Sequence, residues 1–189
     1  MAVAKRIVFL GPPNSGKGTQ AATLAEALGI PAISTGDMLR ASIAAGSELG
    51  RRVEGVLAAG ELVNDELMAD LVRERLAQDD ATDGFLLDGY PRTLAQVETL
   101  DGILNDAGVG LDHVVLIDAP VEVLVTRALN RGRADDDEAI VRERLRQYDE
   151  KTRPLVDHYS GRDLLRRIDG DASIEDVGAA VRRSVGLDG

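Results

Sequence analysis

The sequence predicts an α/β fold, a parallel β-sheet flanked by helices and built around a phosphate-binding loop. Three observations predict it. Short apolar runs that read as strands alternate along the chain with stretches of helical period, as in an open parallel sheet. The run Arg6-Ile7-Val8-Phe9-Leu10 passes directly into Gly11-Pro12-Pro13-Asn14-Ser15-Gly16-Lys17, a Gly-x-x-x-x-Gly-Lys loop, and then into a helix. A second apolar run, residues 84–88, ends in the carboxylate of Asp88, which a parallel sheet would set at the same edge as the loop.

Composition narrows the classes. A chain of 189 residues is expected to form one domain with a real core. The apolar run after Lys5-Arg6 is short and stops at Gly11-Pro12-Pro13, so neither a signal-peptide core nor a membrane span is expected. With 0 cysteines and only His113 and His158, disulfides, thiol chemistry and a structural zinc are not expected, and a reducing cytoplasm is the plain reading. The net charge of −11 argues against nucleic acid and acidic membranes as partners, because a phosphate backbone would meet net repulsion. Small phosphorylated ligands need only a local group of cations, and Arg127, Arg131, Arg133 and Arg144 crowd one region.

In order, residues 7–10 read as a strand covered on both faces. Gly11, Gly16 and Gly18 let the backbone curl its N–H groups, with the positive end of the following helix, around one anion. Lys17 adds a mobile charge for outer phosphates, and Thr19 offers a hydroxyl to magnesium. The strict motif has Ser or Thr directly after the lysine; here Gly18 stands there and Thr19 follows. Ala21, Leu24, Ala25 and Leu28 mark the helix's apolar face. Residues 32–37 read as a short strand feeding a helix capped by Thr35 or Asp37, and helical stretches over 37–45, 47–59 and 64–78 follow with no strand between them. Three such helices form an insertion able to move against the sheet.

After the strand at 84–88, Asp88 could hold a magnesium-bound water or cap a turn, and Gly89-Tyr90-Pro91-Arg92 presents a guanidinium at the same edge. Thr93 opens a helix with Leu94, Val97, Leu100, Ile103 and Leu104 inward, and Gly108 closes it. A strand at 113–118 leads to a helix at 121–130, with His113 at the end away from the ligand edge and therefore structural. The charged stretch 127–138 has almost nothing apolar to pack and reads as exposed and hinged. In the helix after it, at 100° per residue, Ile140, Val141, Tyr148 and Leu155 form the apolar stripe with Arg144 near its middle. An inward arginine needs an anion, either a phosphate ligand or a buried Asp. Pro154 kinks or ends this helix, and a strand at 164–169 and a helix at 173–185 complete the chain.

One phosphate loop, a metal-associated carboxylate and several arginines exceed the needs of one nucleotide, which suggests two phosphorylated ligands meeting head to head. An acceptor phosphate is already ionised at neutral pH, so transfer needs alignment and charge neutralisation rather than a base. At this point the chain resembles the adenylate kinases of short-lid type. The resemblance rests on residues 11–20, on Ser34-Thr35-Gly36-Asp37-Met38-Leu39-Arg40, on residues 84–93 with Gln96, and on residues 131–136.

That resemblance implies a P-loop NTPase-type fold with core 1–33, 64–130 and 139–189, a helical insertion at 34–63 that binds the nucleoside monophosphate (NMP), and a short lid at 131–138. It implies magnesium-dependent transfer of the ATP γ-phosphate to AMP, giving two ADP; the sequence carries no interface signal, so a monomer is the default expectation. Gly11, Pro12, Pro13, Asn14, Ser15, Gly16, Lys17, Gly18 and Thr19 would hold ATP, with Lys17 on the transferring phosphate and Asp88 on the metal's water shell. Arg127 would lie on the ATP adenine, and the backbone near Ala172 would meet that base. Thr35, Gly36, Arg40, the backbone of Glu61, Leu62 and Val63, then Gly89, Tyr90, Pro91, Arg92 and Gln96 would form the AMP site, and Arg131, Arg133 and Arg144 would clamp phosphates. The chain departs from the family at Asn14, where glycine is common. Asparagine tolerates positive φ, so the loop should still form, with altered rigidity. Alternatives on the same residues are a UMP/CMP kinase, disfavoured by the pair Thr35 and Gln96, and a nucleotide-binding regulatory switch, which leaves the arginines unexplained and lacks an Asn-Lys-x-Asp motif.

Overall fold

Five parallel strands, β1 (Arg6–Leu10), β2 (Ala32–Ser34), β3 (Phe85–Asp88), β4 (His113–Asp118) and β5 (Leu165–Asp169), form one sheet in the order β2-β3-β1-β4-β5. This computed structural model describes residues 5–132 and 137–187. Among the described residues the α-helices are α1 (Lys17–Leu28), α2 (Thr35–Ala44), α3 (Glu48–Ala58), α4 (Asp65–Leu76), α5 (Leu94–Asp106), α6 (Val121–Arg131), α7 (Glu138–Gln147), α8 (Pro154–Gly161) and α9 (Ile174–Ser184).

The continuous apolar runs of the inner strands follow from burial on both faces. Side chains alternate along a strand, so Ile7 and Phe9 of β1 join Leu86, Val115 and Ile117 against α1 and α9. Val8 and Leu10 join Leu87, Val114 and Leu116 against α4, α5 and α8. β5 lies at an edge, and its Arg166 and Arg167 keep that edge charged.

Parallel pairing brings the carboxyl ends of all strands to one side. Asp88 pairs in register with Phe9 of β1 and with Ser34 of β2, so the end of β3 stands beside the phosphate loop and beside the start of α2. Gly11 has no alternative there: its φ is 142°, and a Cβ would lie 2.1 Å from the Ile117 carbonyl oxygen.

Three expectations change. The cap of α2 is Ser34, whose hydroxyl accepts the Asp37 N–H at 3.3 Å; neither Thr35 nor Asp37 caps it, because β2 stays extended through Ser34. Leu94 is 49% exposed, because Gln96, 3% exposed, takes the inner position in the first turn of α5. The helix expected after residue 138, kinked or ended at Pro154, is three pieces: α7, a π-helical stretch over Tyr148–Thr152, and α8, which starts at Pro154. Leu145, Gln147 and Thr152 are buried on its inner side with Val141, Tyr148 and Leu155.

Candidate active site

A cleft of about 630 Å³ opens at the carboxyl ends of the strands, in the size range of ligand cavities. Its floor is the phosphate loop. No side chain caps α1; Gly16, at φ 96°, turns the chain into the helix, and the orphan N–H groups of the first turn are left at the cleft. Gly11, Pro13, Asn14, Gly16, Lys17, Gly18 and Thr19 all line the cleft, while Pro12 and Ser15 are buried behind it. Asn14 has φ 67°, the left-handed conformation expected of it, and both polar atoms of its amide are buried with no hydrogen-bond partner among the described residues.

The Lys17 ammonium donates to the Pro12 carbonyl oxygen at 2.7 Å, folded back over its own loop. Burial of this group lowers its pKa from 10.5 to about 8; Asp88 and Asp118 oppose the shift, and Arg92 and Arg131 reinforce it. Asp88 lies so close to the start of α1 that a Cβ on Gly18 would sit 3.6 Å from its Oδ2.

Arg92 is fixed from three directions. Its Nε donates to the Gly89 carbonyl at 2.7 Å, its backbone N–H donates to Gln96 Oε1 at 2.7 Å, and its carbonyl accepts from Thr152 Oγ1 at 2.9 Å. Burial lowers its pKa; Asp88 acts against the shift, while Arg144 and Arg40 add to it. Gly89 must be glycine, since its φ is 86° and a Cβ would lie 2.8 Å from Thr35 Oγ1 and 3.0 Å from the Arg92 guanidinium. Thr35, 1% exposed, donates weakly at 3.4 Å to the Asp88 carbonyl.

Gly36, Arg40, Glu61, Leu62 and Val63, from the segment expected to form an insertion, also line the cleft. Arg40 pairs with Asp37 at 2.5 Å, one turn back on α2. Gly60, just before that segment, packs against α7, where a Cβ would come 3.2 Å from the Ile140 carbonyl and 3.3 Å from the Arg144 side chain. Pro91, Gln96, Arg127, Arg131 and Arg144 complete the expected set on the wall. Tyr90 is fully buried in the core and its peptide bond to Pro91 is cis; Ala172 is exposed and off this cleft. Arg133, and residues 133–136 of the expected lid, lie outside the described residues.

Some of the wall was missed in the sequence. Leu39, Leu57 and Met68 give it an apolar part, and Thr152 braces Arg92. Asp65 holds Gln96 without reaching the cleft. The apolar residues carried only the signal of ordinary helix faces, and the two polar ones depend on elements far apart in the chain.

A phosphate loop and a group of converging cations at the carboxyl edge of a parallel sheet define a nucleotide-dependent phosphotransferase. The sequence profile of the family described as Adenylate kinase matches residues 9–164. Proteins named Adenylate kinase are similar over nearly their full length: 52% identical in Kocuria rhizophila (91% of this chain, 94% of that one), 49% in Stenotrophomonas maltophilia strain R551-3 (95% and 98%), and 47% in Thermus thermophilus (99% and 100%). The chain belongs to the adenylate kinase family and is an enzyme, a phosphotransferase. The helices among the described residues are too short or too polar to cross a membrane.

Proposed function

We propose that this protein transfers the γ-phosphate of ATP to AMP reversibly, giving two ADP, with ATP on the phosphate loop and AMP between the insertion and the edge formed by residues 89–96. The observation that carries the reading is electrostatic. Lys17 feels Arg92 and Arg131, while Arg92 feels Arg144 and Arg40, so cations from five separate segments converge in a chain whose net charge is −11. Such a gathering of cations around one cleft, with Asp88 beside it, matches two polyphosphate ends meeting.

The acceptor needs no base, because a phosphate monoester has a second pKa of about 6 and is ionised at neutral pH. Rate then comes from alignment and from neutralising the transferring group. Lys17 would swing from the Pro12 carbonyl onto the phosphates of ATP. Arg92, already braced, would hold the acceptor phosphate with Arg40, and Arg144 and Arg131 would bridge donor and acceptor, for which guanidinium forks suit phosphate oxygens. In this reading Arg127 and the backbone near Ala172 serve the ATP base, Thr35 and Gln96 read the AMP base, residues 34–63 work as the NMP-binding insertion, and residues 131–138 as a short lid.

Magnesium fits this site. Among the described residues no group of three or more His, Cys, Asp or Glu could hold a metal by itself, and Asp88 faces the loop. That set suits a magnesium ion that arrives on the triphosphate and keeps most of its waters. Asp88 would hold it through water and Thr19 would offer a hydroxyl; when bound, the ion neutralises phosphate charge.

The test is a coupled assay with ATP and each nucleoside monophosphate. AMP is expected to give the highest kcat/KM; faster turnover of UMP or CMP would overturn the assignment. K17A and R144A are each expected to lower kcat/KM at least about 100-fold, roughly 2.7 kcal/mol of transition-state stabilisation, with folding retained by circular dichroism.

A further inference from the structure

We propose that Asp65, which lies off the cleft wall, sets the base specificity of the acceptor site by locking the Gln96 amide in one orientation; this rests on the acceptor role given to Gln96 above. Gln96 is buried but borders the cleft. Its Nε2 donates to Asp65 Oδ1 at 2.7 Å, and its Oε1 accepts the Arg92 backbone N–H at 2.7 Å. An ionised carboxylate only accepts and a backbone N–H only donates, so these two neighbours decide which end of the amide is nitrogen. Turned over, the amide would set oxygen against carboxylate and NH2 against N–H, replacing two hydrogen bonds by two repulsions.

Asp65 is itself held in place. It stands in the first turn of α4, where the helix end favours a carboxylate. Its Oδ2 accepts from Thr93 Oγ1 at 3.1 Å, and that hydroxyl accepts the Gln96 backbone N–H at 3.2 Å, so carboxylate, cap and amide form one closed set.

With those bonds made, Gln96 retains one N–H on Nε2 and one acceptor lobe on Oε1. The pair is complementary to adenine, whose N1 accepts and whose 6-amino group donates. Hypoxanthine presents the reverse, an N1–H donor and a 6-oxo acceptor, and reading it would require the forbidden orientation. Discrimination between a 6-amino and a 6-oxo purine therefore depends, together with the Arg92 N–H, on a residue that does not touch the nucleotide. Asp65 is a positioning residue.

The experiment compares steady-state kinetics of wild-type protein, D65N and D65S with AMP and with inosine monophosphate (IMP) at saturating ATP. D65N replaces an obligate acceptor by a group that can donate to Gln96 Oε1, and D65S removes the charged acceptor altogether. In both variants the ratio of kcat/KM for AMP to that for IMP is expected to fall at least about tenfold, while KM for ATP stays within about twofold. An unchanged ratio in either variant, or an equal rise in KM for ATP and AMP, would overturn the proposal. Wild-type protein that ignores AMP would remove the acceptor reading and this inference together. Wild-type protein that prefers AMP, beside a D65N of unchanged ratio, would remove this inference alone.

Discussion

Lys17 carries a desolvation cost that Asp88 and Asp118 only partly offset. In the ligand-free protein burial of its ammonium lowers the pKa from 10.5 to about 8. Between those values the unfolded chain holds more protons than the folded one, so this residue makes stability rise with pH across that window and lowers it at neutral pH. K17M is therefore expected to melt at roughly 3 °C or more above the wild type at pH 7 without nucleotide, with the gain shrinking toward pH 10. The wild type's kcat/KM for ATP should decline above about pH 8 as free Lys17 loses its proton, a profile that reports the free enzyme. A flat profile through pH 9 would contradict the role given to this ammonium. Asn14 is the second costly residue, left-handed and with both amide atoms buried and without a partner among the described residues.

The elements matter here for what their ends and irregularities place. The π-helical stretch over Tyr148–Thr152 adds one residue to the local turn and buries Thr152 beneath Arg92, where its hydroxyl holds the Arg92 carbonyl. T152V keeps the shape but leaves that carbonyl without the donor. It is expected to lower Tm by roughly 3–8 °C, and a thermal melt would show it. A melt unchanged within error would mean that Arg92 is held by Gly89 and Gln96 alone. The phosphate loop illustrates the same rule, because α1 starts on a left-handed glycine with no capping side chain and so leaves its first N–H groups to a ligand. By contrast α2, α3, α4, α5, α7 and α9 each begin with a side chain that accepts a backbone N–H.

At the scale of the molecule, one group of converging cations and one sheet edge produce the chemistry. The core on both faces of the sheet holds the strand ends rigid, while the insertion meets α7 through the tight contact at Gly60. A cleft that takes two ligands must still keep water away from the transferring phosphate. Hydrolysis of ATP in the absence of AMP is accordingly expected to run on the order of a thousandfold slower than transfer. A free-phosphate assay checks this, and hydrolysis at rates comparable with transfer would show that the cleft does not exclude water.

What the sequence determined by itself was periodic or local. Strand runs such as Ile7 to Leu10, the glycines and lysine of the loop, and the inward phase of Arg144 each depend on neighbours a few residues away, and so they could be read from order and spacing alone. The cap of α2 is Ser34 rather than Thr35 or Asp37 because the end of β2 is decided by pairing with β3, which is a contact between distant segments. The break in the helix after residue 147, the exposure of Leu94 and the bond from Asp65 to Gln96 belong to the same class. Hydrogen bonds between side chains separated by tens of residues leave no periodic trace, since either partner alone is an ordinary polar residue. Only the packed chain decides which of those groups meet, and at this cleft that decision governs which atoms are left to face a nucleotide.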